Sequence, residues 1–317
     1  MTEAVARWIG RHAHPLTTLD PEAPLTDLLP LAGIVRDAEV VAVGAATRQA
    51  RELSVLAHRV LRLLVEELGF RSLVLEGDDA SRVGLDEYVA TGTGDPRALL
   101  AGARSFWQTE EILDAVRWMR SFNRRHPDDP VRFAGAGRAL KGRASVPGGP
   151  AGVELGLAED TIRWHEKTAD RIVYWGGLMH TVDAGSLTVS PSSPPQTHRN
   201  AGSHLRERFG AGYASVGLTF HHGTAPYPVP APPAEFADAV LGATGLDTYL
   251  LDLRADSPAP VRTWLDTPTR TRWIGRRYDP DDDAAHHLSG GSLADWFDVV
   301  LHTREVTPVR PLPSAGS

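Results

Sequence analysis

Glu76, His180 and Arg48 are the side chains of this chain best suited to chemistry. A carboxylate and an imidazole brought into one crevice form a pair that can pass protons to and from a reacting group, and a guanidinium beside them can hold a carboxylate, an enolate or an oxyanion. Arg48 cannot itself serve as a base, because its guanidinium stays protonated and offers donors only. A permanent positive charge beside Glu76 also favours the ionised carboxylate.

The elements that must position these residues can be read from residue patterning. Val40-Val41-Ala42-Val43 is a short apolar, β-branched run broken by Gly44. Ala46 to Leu68 then carries Leu53, Leu56, Val60, Leu64 and Leu68 at helical spacing, and Gly69 stops it. Arg71 to Leu75 reads as a second buried strand with Glu76 at its carboxyl end. In open α/β sheets the crevice at the carboxyl ends of the strands is where ligands bind, so Gly44 to Arg48 and Glu76 are expected there. His180 follows a strand predicted over Arg171 to Trp175 and reaches the same edge. Further strands are predicted at Val131 to Ala134, Ala214 to Phe220 and Thr248 to Leu253, with helices over Asp27 to Arg36 and Thr109 to Asn123. Ser190 to Thr197 and Ala225 to Pro233 are proline-rich connections expected at the cleft rim. The fold class is α/β, with a largely parallel central sheet flanked by helices.

The stretch from Gly44 to Glu76 resembles the erythromycin esterase family. That family's first strand ends in a Gly-Glu-x-x-His signature, followed by a helix with a Glu and an Arg, then a strand ending Leu-Glu. Here the run is Gly44-Ala45-Ala46-Thr47-Arg48, with Glu52, Arg59 and Leu75-Glu76 in place. Collinear segments extend the likeness: Leu85 to Val89, Trp107 with Thr109-Glu110-Glu111, Arg120 to Asn123, Tyr213 to Phe220, and Phe297 to Leu301. In the family the signature His is thought to activate water beside nearby carboxylates without a metal. Arg48 stands at that position, Ala45 replaces the Glu, and a later His-Asn-x-His segment survives as Gly177-Leu178-Met179-His180. The family's long helical insertion is expected to be reduced, with a linker over Gly142 to Gly152 and one helical stretch near Glu159 to Lys167.

Arg48, Glu52, Val55 and Arg59 would share one face if the helix began at Ala46. On that reading Glu52 and Arg59, with Glu110 and Trp107, are candidate substrate-binding residues. Glu52 and Arg59 equally suit a buried ion network with Glu76, Glu111 suits a helix cap, and His180 suits a core histidine. Arg51 is expected in solvent.

Composition narrows the function classes. The chain has 317 residues, 33 basic against 40 acidic side chains and a formal charge of −7, with Lys141 and Lys167 its only lysines. No basic stripe can track a phosphate backbone, so nucleic acid is not an expected partner. With no cysteine, thiolate nucleophiles, disulfides and thiolate metal sites are excluded. No apolar run approaches the ~20 residues of a membrane helix, and Met1 to Asp20 lacks a signal-peptide core, so a cytoplasmic, membrane-free protein is expected. His221-His222 and His286-His287 are adjacent pairs that would point to opposite faces of a strand. Asp279 to Asp283 lacks the glycine and terminal Glu of a calcium loop and reads as a solvated turn, while Gly135-Ala136-Gly137 lacks the rest of a phosphate loop. Neither metal nor cofactor is expected.

One domain over 1–317 is expected, its core at 27–309 and its ends, 1–20 and 310–317, flexible. Three functions follow from these residues. One is acid/base chemistry such as cyclisation, elimination or epimerisation on a bulky polyketide- or peptide-type natural product. Another is ester or lactone hydrolysis, and the third is non-catalytic ligand binding. A small-molecule or peptide substrate is the expected partner, with a homodimer allowed.

Overall fold

The computed structural model describes residues 2–77, 79–134, 148–190, 194–275 and 277–313. Its strands, in chain order, are β1 (His14–Pro15), β2 (Val40–Ala45), β3 (Ser72–Leu75), β4 (Arg132–Phe133), β5 (Ile172–Gly177), β6 (Leu187–Val189), β7 (Gln196–His198), β8 (Tyr213–Thr224), β9 (Pro228–Val229), β10 (Thr248–Asp252), β11 (Thr269–Arg272), β12 (His287–Gly291) and β13 (Val299–Val306). The main sheet runs β1-β10-β13-β8-β2-β5-β3-β4, with β9 on the end of β8. From β13 through β4 every pairing is parallel, while β1, β10 and β9 are antiparallel additions. The expected α/β fold with a largely parallel sheet and flanking helices is thus observed. Both faces of β2 and β5 are buried throughout, as helices on each side of a parallel sheet require.

The chain passes from β2 through the helix Arg51–Leu68 to β3, yet β5 lies between these two strands. Their carboxyl ends, with that of β5, therefore open onto a single crevice at the sheet's upper edge. The helix Arg51–Leu68 buries Leu53, Leu56, Val60, Leu61 and Leu64 and stops at Gly69, whose φ of 71° lies in the left-handed region.

Several expectations need correction. The first helix starts at Arg51, so Thr47 to Gln49 form the link after β2 and Arg48 is not on the helical face of Glu52 and Arg59. A second, antiparallel sheet, β11-β12-β6-β7, was not anticipated. Its short strands and proline-rich β7 segment carry a weak alternating signal. In place of a linker and a short helix, Gly149–Thr168 is a 20-residue helix. Gly148, at φ 92°, and Pro150 mark its start: proline in the first turn loses only a donor that has no helical partner there.

Described residues near both ends pair with the rest of the fold. Residues Thr2–His12 form a helix burying Val5 and Ile9, and β1 pairs with β10. At the other end, Leu312 N–H donates to Gln108 O at 2.9 Å, and Arg310 O accepts from Glu110 N–H at 2.8 Å. Lys141, Gly135-Ala136-Gly137, most of the Gly142–Gly152 linker, residues 191–193 of the first proline-rich connection and residues 314–317 lie outside the described residues. No described helix is long and apolar enough to cross a membrane.

Candidate active site

Glu76 follows β3 directly, and its backbone N–H is held by Trp175 O at 3.0 Å. Its side chain is only 2% exposed. One carboxylate oxygen accepts from Gly177 N–H at 3.1 Å and pairs with Arg48 Nη2. The other faces His180 Nε2 at 3.3 Å and Arg104 Nη1 at 4.0 Å. Arg104 also donates to the Glu76 carbonyl oxygen. A carboxylate this deeply buried needs such compensation, because removing an ion from water costs several kcal/mol.

Arg48 spans the boundary between interior and solvent, its side chain 21% exposed. Its guanidinium carbon lies 4.4 Å from the centre of the Phe106 ring and 5.3 Å from that of Trp107. The aromatic faces orient the cation and offset part of its desolvation. Trp107 is buried and packs edge-on against Trp175.

His180 sits on the short helix Leu178–Thr181 that follows β5. Asn200 pins this helix by donating to Met179 O at 3.1 Å and Val182 O at 2.7 Å, while Tyr213 and Ser215 hydroxyls donate to Thr181 O at 2.5 and 3.0 Å. Two glycines allow the close assembly. A Cβ on Gly44 would stand 1.8 Å from Thr181 Oγ1 and 3.2 Å from Leu178 Cα, and one on Gly177 would lie 3.1 Å from Arg48 Nη2.

On its far side His180 meets a residue that sequence reasoning missed. Nδ1 lies 2.7 Å from Glu154 Oε1, and the other oxygen of Glu154 accepts from Ala201 N–H at 3.0 Å. Glu154 comes from the helix Gly149–Thr168 and is 2% exposed. Glu154, Leu157, Ala158 and Thr161 are its buried residues, a spacing of i, i+3, i+4 and i+7 that would have flagged the face. Nearby His204 is held below the usual imidazole range by burial and by Arg199, against the opposing charges of Glu207 and Glu154.

Of the residues singled out from sequence, Arg48, Glu76 and His180 come together and Trp107 backs them. Glu52 does not join them: its oxygens accept from Thr307 N–H at 2.7 Å and Thr307 Oγ1 at 2.6 Å. Nor does Arg59, which is fully buried against Asp27 at 2.7 Å and donates to Thr18 O and Pro24 O. Burial pushes the Asp27 carboxyl up, but hydrogen bonds from Arg59 and Thr17 outweigh it and leave it below its ordinary value. Neither residue belongs to a network with Glu76. Glu110 pairs with Arg97 at 2.6 Å, which holds its carboxyl low, and does not reach the crevice. Glu111 instead fixes Arg310 Nε at 2.9 Å, and the helix cap is Thr109, whose hydroxyl accepts from Ile112 N–H. Arg51 is 41% exposed.

The crevice ends in a cavity of about 60 Å³ lined by Ala45, Thr47, Arg48, Gln49, Phe106, Gly177 and the segment Trp273-Ile274-Gly275. None of the described residues of the proline-rich connections lines it. Ile274 N–H donates to Ala46 O at 2.9 Å, tying this rim to the end of β2. The rim segment is anchored below by Arg272, whose guanidinium reaches Asp283 at 2.5 Å, and by Tyr278 OH donating to Asp283 at 2.7 Å. Asp283 is thus buried and structural, not part of a solvated turn. The His221 and His222 rings meet edge to face, Nδ1 to Nδ1 at 2.9 Å, against the expectation of opposite faces, just before Gly223, whose φ is 141°, near the end of β8. No group of three or more metal-ligating side chains is present among the described residues.

Comparison with known proteins agrees with this architecture. A Bacillus cereus protein of known crystal structure superposes with a TM-score of 0.83 at 22% identity, covering 98% of this chain and 99% of that one. A mutant of the erythromycin esterase EreC in its open conformation superposes with a TM-score of 0.65 at 14% identity, covering 93% and 98%. In sequence, erythromycin esterase type II of Escherichia coli is 24% identical over 166 residues; the match takes in 52% of this chain and only 38% of that protein. The model of the erythromycin esterase family matches residues 65–138 and 155–306, more than half of the chain. The chain therefore belongs to the erythromycin esterase family.

Proposed function

We propose that the chain is a hydrolase-type enzyme that cleaves an ester or lactone, with Glu76 and His180 moving the protons and Arg48 holding the negative charge that develops on oxygen. The observation that carries this reading is the 3.3 Å approach of His180 Nε2 to Glu76 Oε1 beneath a guanidinium that fronts the cavity. Water attacks the ester carbonyl carbon, the alkoxy C–O bond breaks, and acid and alcohol leave. One member of the pair takes the proton of the attacking water while the other supplies the proton of the leaving oxygen. Arg48, which lines the cavity, is the donor placed to hold an oxyanion there. Family membership and the name of the E. coli relative support hydrolysis as the reaction class.

A cavity of about 60 Å³ has room for a few waters, or for the reacting end of a larger molecule. A bulky polyketide or peptide would lie over Trp273 and Phe106 with only its ester end inside. A second reading keeps the same residues for non-hydrolytic proton transfer: cyclisation, elimination or epimerisation. The feature that favours it is Arg48, a permanent cation where the resemblance leads one to expect a water-activating imidazole.

The test is turnover of a panel of esters and macrolactones by wild type, E76Q and H180N, with products identified by mass. Loss of at least about 10²-fold in both variants, with acid and alcohol from the wild type, supports hydrolysis. Product of unchanged mass supports the second reading. Undiminished turnover in both variants removes both. Tight binding of intact ligand in calorimetry, without conversion, would leave a binding protein.

A further inference from the structure

Each ring nitrogen of His180 faces a carboxylate: Nδ1 meets Glu154 Oε1 at 2.7 Å and Nε2 meets Glu76 Oε1 at 3.3 Å. A neutral imidazole carries a single N–H and can satisfy only one such contact; its other nitrogen would set a lone pair against a carboxylate oxygen. Both contacts are satisfied together when both ring nitrogens carry protons. The surroundings fit that proton count. Among the described residues, the charged or titratable groups facing this assembly are Glu76 after β3, Glu154 on the helix Gly149–Thr168, Arg48 after β2, Arg104 ahead of Phe106, and His204 beside Glu154.

We infer that Glu154 is a positioning residue that fixes the ring of His180 and keeps it doubly protonated, so that His180 enters the reaction as the proton donor and Glu76 as the acceptor. This deepens the reading above and rests on it for the reaction, but not for the protonation state. In hydrolysis the Nε2 proton passes to the leaving alkoxide as its C–O bond breaks, while Glu76 takes the proton of the attacking water. Proton return from Glu76 to Nε2 across their contact then restores the starting state. Glu154 touches no substrate. Its second oxygen is held by Ala201 N–H at 3.0 Å, so the carboxylate aimed at Nδ1 cannot swing away without breaking a buried hydrogen bond.

The conservative variant that tests this is E154Q. A glutamine can accept from Ala201 N–H and donate its amide to Nδ1, which preserves packing but demands an unprotonated Nδ1. ¹⁵N spectra of histidine-labelled protein, with the His180 signals assigned by their loss in H180N, should show both nitrogens protonated in the wild type at neutral pH. E154Q should show a neutral ring with the proton on Nε2, with kcat lowered on the order of 10²-fold, KM little changed and a shifted pH profile. E154D, one methylene shorter, should recover part of the rate. An unprotonated ring nitrogen in the wild type, or an E154Q spectrum identical to wild type, would overturn the inference. The wild-type spectrum decides even if E154Q does not fold. A doubly protonated His180 in a protein that turns over no ester would leave this inference standing and remove only the hydrolase reading.

Discussion

Arg48 stacks on Phe106, guanidinium carbon to ring centre 4.4 Å, while its Nη2 pairs with the buried carboxylate of Glu76. The aromatic face therefore helps keep the cation at the mouth of the cavity. Removing the cation in R48A should leave Glu76 with weaker compensation from Arg104 and His180, lowering stability by on the order of 2 kcal/mol. The urea midpoint measures this, and an unchanged midpoint would show that the pair contributes little. F106A should have a smaller effect, about 1 kcal/mol or less through the cation, beyond its loss of packing.

Glu52 ties the helix Arg51–Leu68 to the segment after β13 through two hydrogen bonds to Thr307. E52Q should lower stability by about 1–3 kcal/mol and leave kcat unchanged for any substrate the wild type converts. A selective fall in kcat at full stability would return Glu52 to the crevice.

At Gly44 an added Cβ would meet Thr181 Oγ1 at 1.8 Å and the backbone of Leu178 at 3.2 Å. The side chain can rotate away, but the backbone it hangs from is pinned by Asn200, Tyr213 and Ser215. G44A should therefore cost about 1–3 kcal/mol and move the helix carrying His180. Thermal unfolding together with the His180 ¹⁵N signals reads both effects; a variant with wild-type stability and spectrum would contradict the packing argument.

Acid stability should be set away from the site. Burial, with Arg62 nearby for the first, pushes His58 down to about 3, and burial with the charge of His221 does the same for His302. Their folded values lie below the unfolded one, so their contribution is complete above about pH 6.5 and is lost as pH falls toward 3. Asp238 behaves oppositely. Burial raises it from 3.8 to about 6, so its contribution is present below 3.8 and lost as pH rises to 6. Between about pH 4 and 6 the two histidines outweigh the one carboxyl, and stability should rise with pH, by on the order of 1 kcal/mol per unit from these three groups. Urea midpoints across that range should follow this slope, steepening in D238N and flattening in H302Q. A flat wild-type profile would contradict the assignment.

How much of this was legible in the sequence differs by element. The strand ends bearing Glu76 and His180 were legible because a buried parallel strand is a continuous apolar run bounded by glycine or a charge, as in Leu73-Val74-Leu75 before Glu76. Arg48 was located in space but wrongly placed on the helix, because Ala46 and Ala50 fit a helical pattern although Ala50, at ψ 125°, is extended. Glu154 was hidden for a different reason. Gly148, Gly149, Pro150 and Gly152 look like a linker by composition, yet they begin a helix. The roles of Glu52 and Arg59 were misjudged because their partners, Thr307 and Asp27, are distant in sequence. No local spacing reports such pairings.

Strand β13 lies between β8 and β10, so residues 299–306 fill the middle of the sheet after both neighbours have been made. Until they arrive, β8 presents an open parallel edge, and β1 with β10 is not joined to it within the sheet. From the end of β8 at Thr224 until β13 begins at Val299 that edge lies bare on a nascent chain, which makes exposed-edge association during translation the hazard this topology carries.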